Sequence, residues 1–260
     1  MFRWEPNQYL RFSAERGRPF VDLLARIGAE DPRRVLDLGC GDGGFTAFLA
    51  RRWPGAEVSG IDSSPDMIER AAEHAGPSVR FELADVTDVA PDAEYDVVLS
   101  NALLQWVPDH LTLLQAWTRA LRPGAWLAWQ VPGNFAAPSH AIMRELAGTP
   151  RWRDRLDGVL RHHDTVRAPA EYADAMLAAG WTVDAWETTY SHLLPGDDPV
   201  LEWVRGTGLR PVLAALGDDA SGFEVQYAAA LREAYPRGEH GTFFDFRRVF
   251  CVAHRADGGP

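Results

Sequence analysis

A glycine-rich stretch is the part of this 260-residue sequence that is best suited to chemistry. Within residues 37–44, Gly39, Gly41 and Gly44 have the spacing of a G-x-G-x-x-G motif. A turn of this kind between a strand and a helix lets the backbone approach a nucleotide closely, because glycine has no side chain. The motif alone is a weak signal, since glycine clusters are common in turns.

Acidic residues at three predicted strand ends strengthen the signal. Asp37 lies at the start of the glycine stretch, Asp62 ends the next predicted strand, and Asp85 follows the third. Parallel strands bring their carboxyl ends to one edge of a sheet, where open α/β sheets bind ligands. An acidic residue placed as Asp62 is can accept both hydroxyls of a ribose. The combined pattern therefore indicates a cofactor that contains a nucleoside.

The charge at this edge distinguishes the two cofactors that fit the pattern. NAD would place a doubly charged pyrophosphate at the glycine turn, where Asp37 and Asp42 would repel it. At ~4 Å and an effective dielectric of ~20, each such contact costs several kcal/mol before screening. S-adenosylmethionine (SAM) has no phosphate and carries an ammonium and a sulfonium group, which the same carboxylates attract. The sequence favours SAM, and an NAD-dependent reductase is the alternative.

Strands and helices alternate around these residues, which predicts an α/β fold. Apolar or alternating segments predict strands at 35–38, 57–61, 79–83, 95–99, 125–131, 182–190 and 243–253. The first five, separated by helices, require right-handed crossovers and a parallel sheet. No linker-like composition divides the chain, so we predict one domain of residues 1–260. Its core takes in about 18–132 and 169–192 plus 243–254, and a helical cover takes in about 133–168 and 195–240.

The composition excludes several classes of function. The formal charge is −11, from 37 acidic against 26 basic side chains, so no nucleic-acid partner is expected. Every basic residue is an arginine, and the absence of lysine excludes Schiff-base chemistry and a phosphate-loop lysine. An anionic ligand must therefore be bound by arginine, histidine, backbone N–H groups or helix ends.

The cysteines and the apolar segments indicate the setting in which the protein works. Cys40 and Cys251 lie far apart, and neither belongs to a C-x-x-C motif or a histidine cluster, so neither a metal site nor a disulfide framework is expected. The first residues lack the apolar stretch of a signal peptide, and no apolar run approaches the ~20 residues of a membrane span. We expect a cytoplasmic monomer with no membrane partner.

Four motifs together resemble those of a known superfamily. Residues 35–44, 60–62, 84–86 and 101–106 are similar to the successive motifs of class I SAM-dependent methyltransferases. The resemblance implies a Rossmann-like fold with a seven-stranded, mostly parallel sheet whose last strand is antiparallel to the rest. It also implies helical insertions that cover the active site, and SAM as the cofactor.

Segments toward both ends of the chain narrow the resemblance to one family. They are W-x-P-x-x-Y-x-x-F-x-x-E-R-x-R-P at 4–19, M-R-E at 143–145, T-T-Y-x-H at 188–192 and T-G-L-R-P at 207–211. From about residue 4 to residue 253 the chain resembles the trans-aconitate 2-methyltransferases. That family methylates one carboxylate of trans-aconitate, a tricarboxylate, to give a monomethyl ester.

The resemblance also implies which residues bind the cofactor. Asp37 and the glycine turn should contact the methionine part, Asp62 the ribose, and Asp85 the edge of the adenine. Two of the expected residues come from an N-terminal helix that closes over the cofactor. The full set is Tyr9, Arg16, Asp37, Gly39, Gly41, Asp62, Ser63, Met67, Asp85, Val86 and Asn101.

The substrate side requires cations. A carboxylate has a pKa near 4 and is ionised at neutral pH, so its methylation needs no general base, and we expect no catalytic residue that transfers a proton. Orientation and desolvation then supply the acceleration. Arg144, His192, Arg210 and Arg248 lie in motifs of the resemblance or beside them and are the candidates that bind the other carboxylates. The alternative for each is an exposed or ion-paired surface side chain.

Three other interpretations of the function stay open at this point. One is a methyltransferase for a different small carboxylic acid, such as a short-chain dicarboxylate or an acid held on an acyl carrier. The second is the NAD-dependent reductase. The third is a protein that binds SAM without catalysis, because binding and catalysis use the same three aspartates.

Overall fold

The computed structural model describes residues 17–160 and 166–257 and contains the predicted seven-stranded sheet. The strands are β1 (Arg34–Leu38), β2 (Glu57–Asp62), β3 (Val79–Leu83), β4 (Val97–Asn101), β5 (Trp126–Pro132), β6 (Thr182–Leu194) and β7 (Thr242–His254). The α-helices of the described residues are α1 (Arg18–Ala25), α2 (Gly44–Arg52), α3 (Pro65–Ala71), α4 (His110–Ala120), α5 (Pro138–Ala147), α6 (Arg153–Leu156), α7 (Pro169–Ala178), α8 (Pro199–Arg205), α9 (Arg210–Leu216) and α10 (Ala220–Ala234). None of these helices is long and apolar enough to cross a membrane.

The strands are arranged in the order β3-β2-β1-β4-β5-β7-β6. The five strands from β3 to β5 pair in parallel. Backbone hydrogen bonds join Ala125 to Arg255 at one end of the β5–β7 pair and Gly133 to Arg247 at the other, so β7 runs antiparallel to β5. The expected mixed sheet is confirmed. The strand order reverses between β1 and β4, and ligands of open α/β sheets bind at such a reversal.

The described chain divides into two units, which we call unit 1 and unit 2. Unit 1 takes in the residues up to Val131, Arg167–Glu187 and the residues from Val249 onward. Its central strands β1 and β4 are almost entirely buried and are rich in valine and leucine, as parallel strands covered on both faces are. Helices α2 and α3 pack against β2 and β3. These elements position the glycine turn and the aspartates.

Unit 2 consists of Pro132–Val166 and Thr188–Arg248 and has an apolar core of its own. Helix α10 packs against α5, and the hydroxyl of Tyr227 donates a 2.7 Å hydrogen bond to the carbonyl oxygen of Ser139 near the start of α5. Most of the helical cover predicted from the sequence falls in this unit. The covering role itself, and the assignment of the whole chain to one domain, stay predictions.

Two strands differ from their predicted bounds by more than one residue. Strand β4 begins at Val97 rather than at Tyr95, because the N–H of Tyr95 donates to the carbonyl oxygen of Asp92 at 3.4 Å and so belongs to the preceding turn. Strand β6 continues past residue 190 to Leu194. Burial alternates residue by residue along that extension, as it does in a strand with one buried face, and His192 is one of the buried residues.

Candidate functional site

The glycine turn joins β1 to α2 and is tied to the end of β2. The N–H groups of Gly39 and Cys40 both donate to the carbonyl oxygen of Ile61, at 2.9 and 2.8 Å. Positive φ angles occur at Gly39, Gly41 and Gly43. Two of the three motif glycines, Gly39 and Gly41, therefore have a backbone cause, because other residues adopt such angles only with strain. The third, Gly44, is the first residue of α2.

The turn should be most sensitive to substitution at Gly43. Its φ is 79°, and a Cβ there would lie 2.7 Å from Phe81 and 2.9 Å from Ala71. We expect Gly43→Ala to lower the free energy of unfolding by roughly 2–4 kcal/mol, from backbone strain and overpacking together. Gly41→Ala is the matched control, because its φ is 56° but nothing lies within 4 Å of its Cβ position. Urea unfolding measures both losses, and equal losses would contradict the packing argument.

Asp62 connects the turn to the end of β2. One carboxylate oxygen accepts the N–H of Gly41 at 3.0 Å, and the other accepts the N–H of Ser64 at 2.9 Å. These bonds fix the orientation of a half-buried carboxylate. Since each carboxylate oxygen has a second lone pair, both remain able to accept a further hydrogen bond. This is the arrangement that two neighbouring ribose hydroxyls require.

A cavity of about 210 Å³ opens beside Asp62 in unit 1. Five of its lining residues belong to the set predicted from the sequence: Gly39, Asp62, Ser63, Asp85 and Val86. The lining residues absent from that set are Ile61, Ala84, Thr87, Leu103, Trp106, Val107 and Pro108. Trp106 is 49% exposed, so it is not the core aromatic that its size suggests. The sequence signal that could have indicated this position at the cavity was the place of Trp106 in the 101–106 motif.

Asp85 presents a carboxylate at the wall of this cavity. One of its oxygens accepts both the N–H of Thr87 at 2.9 Å and the hydroxyl of Thr87 at 2.7 Å. These two hydrogen bonds lower the pKa of Asp85 below its ordinary value. The group is therefore a fixed anion, suited to accept from an amino group of a ligand.

Asp37 is only 2% exposed and lies at the end of β1, beneath the glycine turn. Burial, together with a smaller contribution from the charge of Asp62, raises its pKa to about 6, even though the 2.6 Å hydrogen bond from the Thr46 hydroxyl lowers it. An ionised carboxylate in such surroundings is costly until a cation approaches. Two neighbouring carboxylates at one turn thus make the site attractive to a positively charged ligand.

The raised pKa of Asp37 predicts a pH dependence of cation binding. A bound cation favours ionised Asp37, so the Kd for SAM should rise by up to about tenfold per pH unit as the pH falls below about 6. Thr46→Val removes the bond that lowers the pKa, and the rise should then begin at a higher pH. Calorimetry between about pH 5 and 7.5 measures both curves. A Kd that stays constant over this range would contradict the role of Asp37.

Four further predicted cofactor residues do not line the cavity or fall outside the described chain. Met67 is half-buried in α3, and the side-chain oxygen of Asn101 at the end of β4 accepts the amide of Gln130 at 2.6 Å. Neither is among the residues that line the cavity. Tyr9 and Arg16 fall outside the described residues. The roles of all eleven predicted cofactor residues stay predictions.

Two of the four cations predicted to bind the substrate lie close together in unit 2. The ring of His192 on β6 stacks on Trp203 at 4.8 Å, and Phe246 on β7 lies 6.4 Å from His192. The guanidinium of Arg248 lies 4.6 Å from the centre of the Phe246 ring. We call His192, Trp203, Phe246 and Arg248 the aromatic–cation cluster.

The burial of this cluster bears on its function. His192 and Arg248 are both buried, and Arg248 is 8% exposed, so the alternative of a solvated surface side chain is wrong for both. A guanidinium attracts a carboxylate more strongly in such surroundings than in bulk water, because the effective dielectric is lower. The cluster is therefore a candidate anion site, with apolar rings that exclude water around the charge.

Arg144 and Arg210 lie elsewhere in unit 2. Arg144 is half-buried on α5, and Arg210 is exposed at the first residue of α9. Their segments meet where Gly208 packs beside α5, since a Cβ on Gly208 would lie 3.3 Å from Nε2 of His140 and 4.0 Å from Met143. Within residues 17–160 and 166–257, neither guanidinium makes a hydrogen bond or an ion pair. Both can still bind an external carboxylate, and for Arg210 the surface alternative remains.

The comparisons with known proteins place this geometry in context. A family model described as a methyltransferase domain matches residues 35–124. The chain is 55% identical over 260 residues to the trans-aconitate 2-methyltransferase of Streptomyces avermitilis, covering 97% of both chains. It is 56% identical to the enzyme of the same name from Streptomyces coelicolor, covering 98% of this chain and 88% of the relative. The corresponding protein of Rhodococcus jostii is 52% identical, over 96% of this chain and 98% of the relative.

Solved structures resemble the fold at lower identity. An S-adenosylmethionine-dependent methyltransferase from Mesorhizobium loti has a TM-score of 0.54 and 20% identity, covering 94% of this chain and all of that chain. Phosphoethanolamine N-methyltransferase 2 from Haemonchus contortus, in complex with S-adenosyl-L-methionine, has a TM-score of 0.54 and 16% identity, covering 91% of this chain and 52% of that chain. These likenesses establish the expected Rossmann-like class I fold.

Proposed function

The chain belongs to the trans-aconitate 2-methyltransferase family, and from this membership we propose that it transfers the methyl group of SAM to one carboxylate of trans-aconitate. The product is a monomethyl ester. The observation that carries the proposal is the similarity to the Streptomyces avermitilis enzyme over 97% of both chains. It extends far beyond the 35–124 segment of the general methyltransferase model and through the residues of unit 2.

The carboxylates of unit 1 fit the cofactor. Asp62 would hold the ribose with both of its oxygens, and Asp85 would accept from the amino group of the adenine. Asp37 would balance positive charge from beneath the turn. When bound, SAM would supply the methyl group of its sulfonium: the new bond joins that methyl carbon to a carboxylate oxygen, the S–CH3 bond breaks, and the neutral thioether S-adenosylhomocysteine is the leaving group. A pyrophosphate would meet repulsion from these three carboxylates, which counts against the NAD alternative.

The cations of unit 2 fit the acid. Arg248 and His192 would bind the carboxylates that are not methylated, with Arg144 and Arg210 as further partners. A guanidinium binds a carboxylate through two parallel hydrogen bonds, which fixes its direction as well as its charge. In a protein with a formal charge of −11, such cations have to be concentrated locally to attract a tricarboxylate.

The reaction requires no proton transfer within the protein. The attacking carboxylate is already ionised at neutral pH, so the side chains described above orient it and exclude water rather than activate it. Alignment of two bound reactants supplies effective molarities of about 10⁵ M or more. The proposed enzyme acts as a cytoplasmic monomer on a small tricarboxylate, with no nucleic-acid or membrane partner.

Methyl transfer from labelled SAM to a panel of acids tests the proposal. The panel contains trans-aconitate, cis-aconitate, citrate, isocitrate and short-chain dicarboxylates, and mass spectrometry identifies the ester. We expect trans-aconitate to have the highest kcat/KM and to gain a single methyl group. A dicarboxylate preferred over trans-aconitate would show that the substrate is another small acid. Binding of SAM with no ester from any acid would favour the non-catalytic interpretation.

A further inference from the structure

Asn134 lies just after the end of β5. The oxygen of its side-chain amide makes a hydrogen bond there, whereas the NH₂ group does not within the described chain. The residue opens the short 3₁₀ turn Asn134–Ala136 in unit 2 and is 3% exposed. Its Oδ1 accepts the N–H of Arg247 at 2.6 Å, while the N–H of Gly133 donates to the carbonyl oxygen of Arg247 at 2.9 Å. The side chain thus continues the hydrogen bonding between β5 and β7 two residues beyond Pro132, where β5 ends.

This bond fixes which way the amide is oriented. A backbone N–H needs an acceptor, so Oδ1 must be the atom that faces Arg247 and Nδ2 must point away from it. Nδ2 is buried, and no atom of the described chain accepts its hydrogens. Leaving such a donor unsatisfied destabilises a protein by ~1–3 kcal/mol. The contact with Arg247 requires only an acceptor, so it does not explain the donor.

The surroundings of Asn134 indicate which acceptor is missing. Arg247 is the chain neighbour of Arg248, and Phe246 and Arg248 belong to the aromatic–cation cluster. Asn134 is therefore bonded to the backbone of β7 at the residue between Phe246 and Arg248, two members of the candidate anion site. A ligand bound there brings carboxylate oxygens, which accept hydrogen bonds from an amide NH₂ group more strongly than neutral acceptors do.

We propose that the Nδ2 group of Asn134 donates a hydrogen bond to a carboxylate of the bound acid. Asn134 is then a substrate-binding residue in addition to Arg248 and His192. It favours acids that place a carboxylate within hydrogen-bonding distance of Nδ2. This inference rests on the proposed function. It extends that function to a neutral donor which the sequence motifs do not indicate.

Two substitutions at position 134 separate this role from a purely structural one. Asn134→Asp keeps the acceptor for the N–H of Arg247 but replaces the donor by an anionic oxygen. Asn134→Ala removes both functions and adds no charge. We expect Asn134→Asp to raise the KM for trans-aconitate by roughly ten- to hundredfold, because a charged hydrogen bond is lost and repulsion is added. We expect Asn134→Ala to raise this KM less but to lower the Tm more.

The order of the two variants is the decisive result. If the role is only structural, Asn134→Ala should have both the lower Tm and the higher KM for trans-aconitate. That outcome would overturn the inference. An unchanged KM for trans-aconitate in Asn134→Asp would also overturn it. The KM for SAM should stay within about twofold in both variants. Turnover of trans-aconitate by the unsubstituted enzyme is measured first, and its absence would overturn the proposed function and this inference with it.

Discussion

Asp62→Ala should weaken SAM binding by about a hundredfold or more. Asp62 would accept two ribose hydroxyls, and charge-assisted hydrogen bonds contribute about 1.5–3 kcal/mol each. The same carboxylate holds the N–H groups of Gly41 and Ser64, so its removal also releases the glycine turn from the end of β2. The loss of affinity therefore has two causes, and both act on the cofactor rather than on the acid.

The matched control for this change is Asp66→Ala. Asp66 is an exposed carboxylate in the first turn of α3, four residues further along the chain. Its removal changes the net charge equally but leaves the contacts of Asp62 in place. Calorimetry with SAM should show near-normal affinity for the control. Equal affinities in the two variants would show that the ribose does not lie at Asp62.

Arg248→Ala should raise the KM for trans-aconitate by roughly ten- to hundredfold and leave the KM for SAM within about twofold. The side chain is buried against Phe246 on β7, and its proposed partner is a carboxylate of the acid. Arg248→Lys should recover only part of the affinity, because an ammonium cannot form two parallel hydrogen bonds in one plane.

Arg237→Ala is the control for this change. Arg237 belongs to the same unit, is exposed, and pairs with Asp197 at 3.3 Å on the surface. Its loss should leave both KM values nearly unchanged. If Arg248→Ala raises the KM of both substrates by the same factor, the residue supports the fold and does not bind the acid.

The part of the site that could be predicted from the sequence depends on local signals. The glycine spacing and the aspartates at strand ends report the backbone of single turns, and the structure places Asp62, Ser63 and Asp85 around one cavity. The parallel arrangement of the first five strands follows from the alternation of strands and helices. These features need no knowledge of distant contacts, which is why the sequence contains them.

The rest depends on partners that are distant in the chain. Asn134 is an ordinary loop residue until β7 brings Arg247 to its amide, 113 residues away. Thr46 has no visible role until it meets Asp37, whose pKa it moderates. Trp106 resembles a core residue by its size, and only the structure shows it at the cavity wall. A single sequence does not encode such pairings in its spacing.

The electrostatic account is tested most directly by titrating the unsubstituted protein with SAM and with NAD in parallel calorimetry experiments. Carboxylates at three strand ends should admit the sulfonium cofactor and reject the pyrophosphate. We expect saturable binding of one SAM per chain and no binding heat from NAD at the same concentrations. Saturable binding of NAD with no response to SAM would contradict the account.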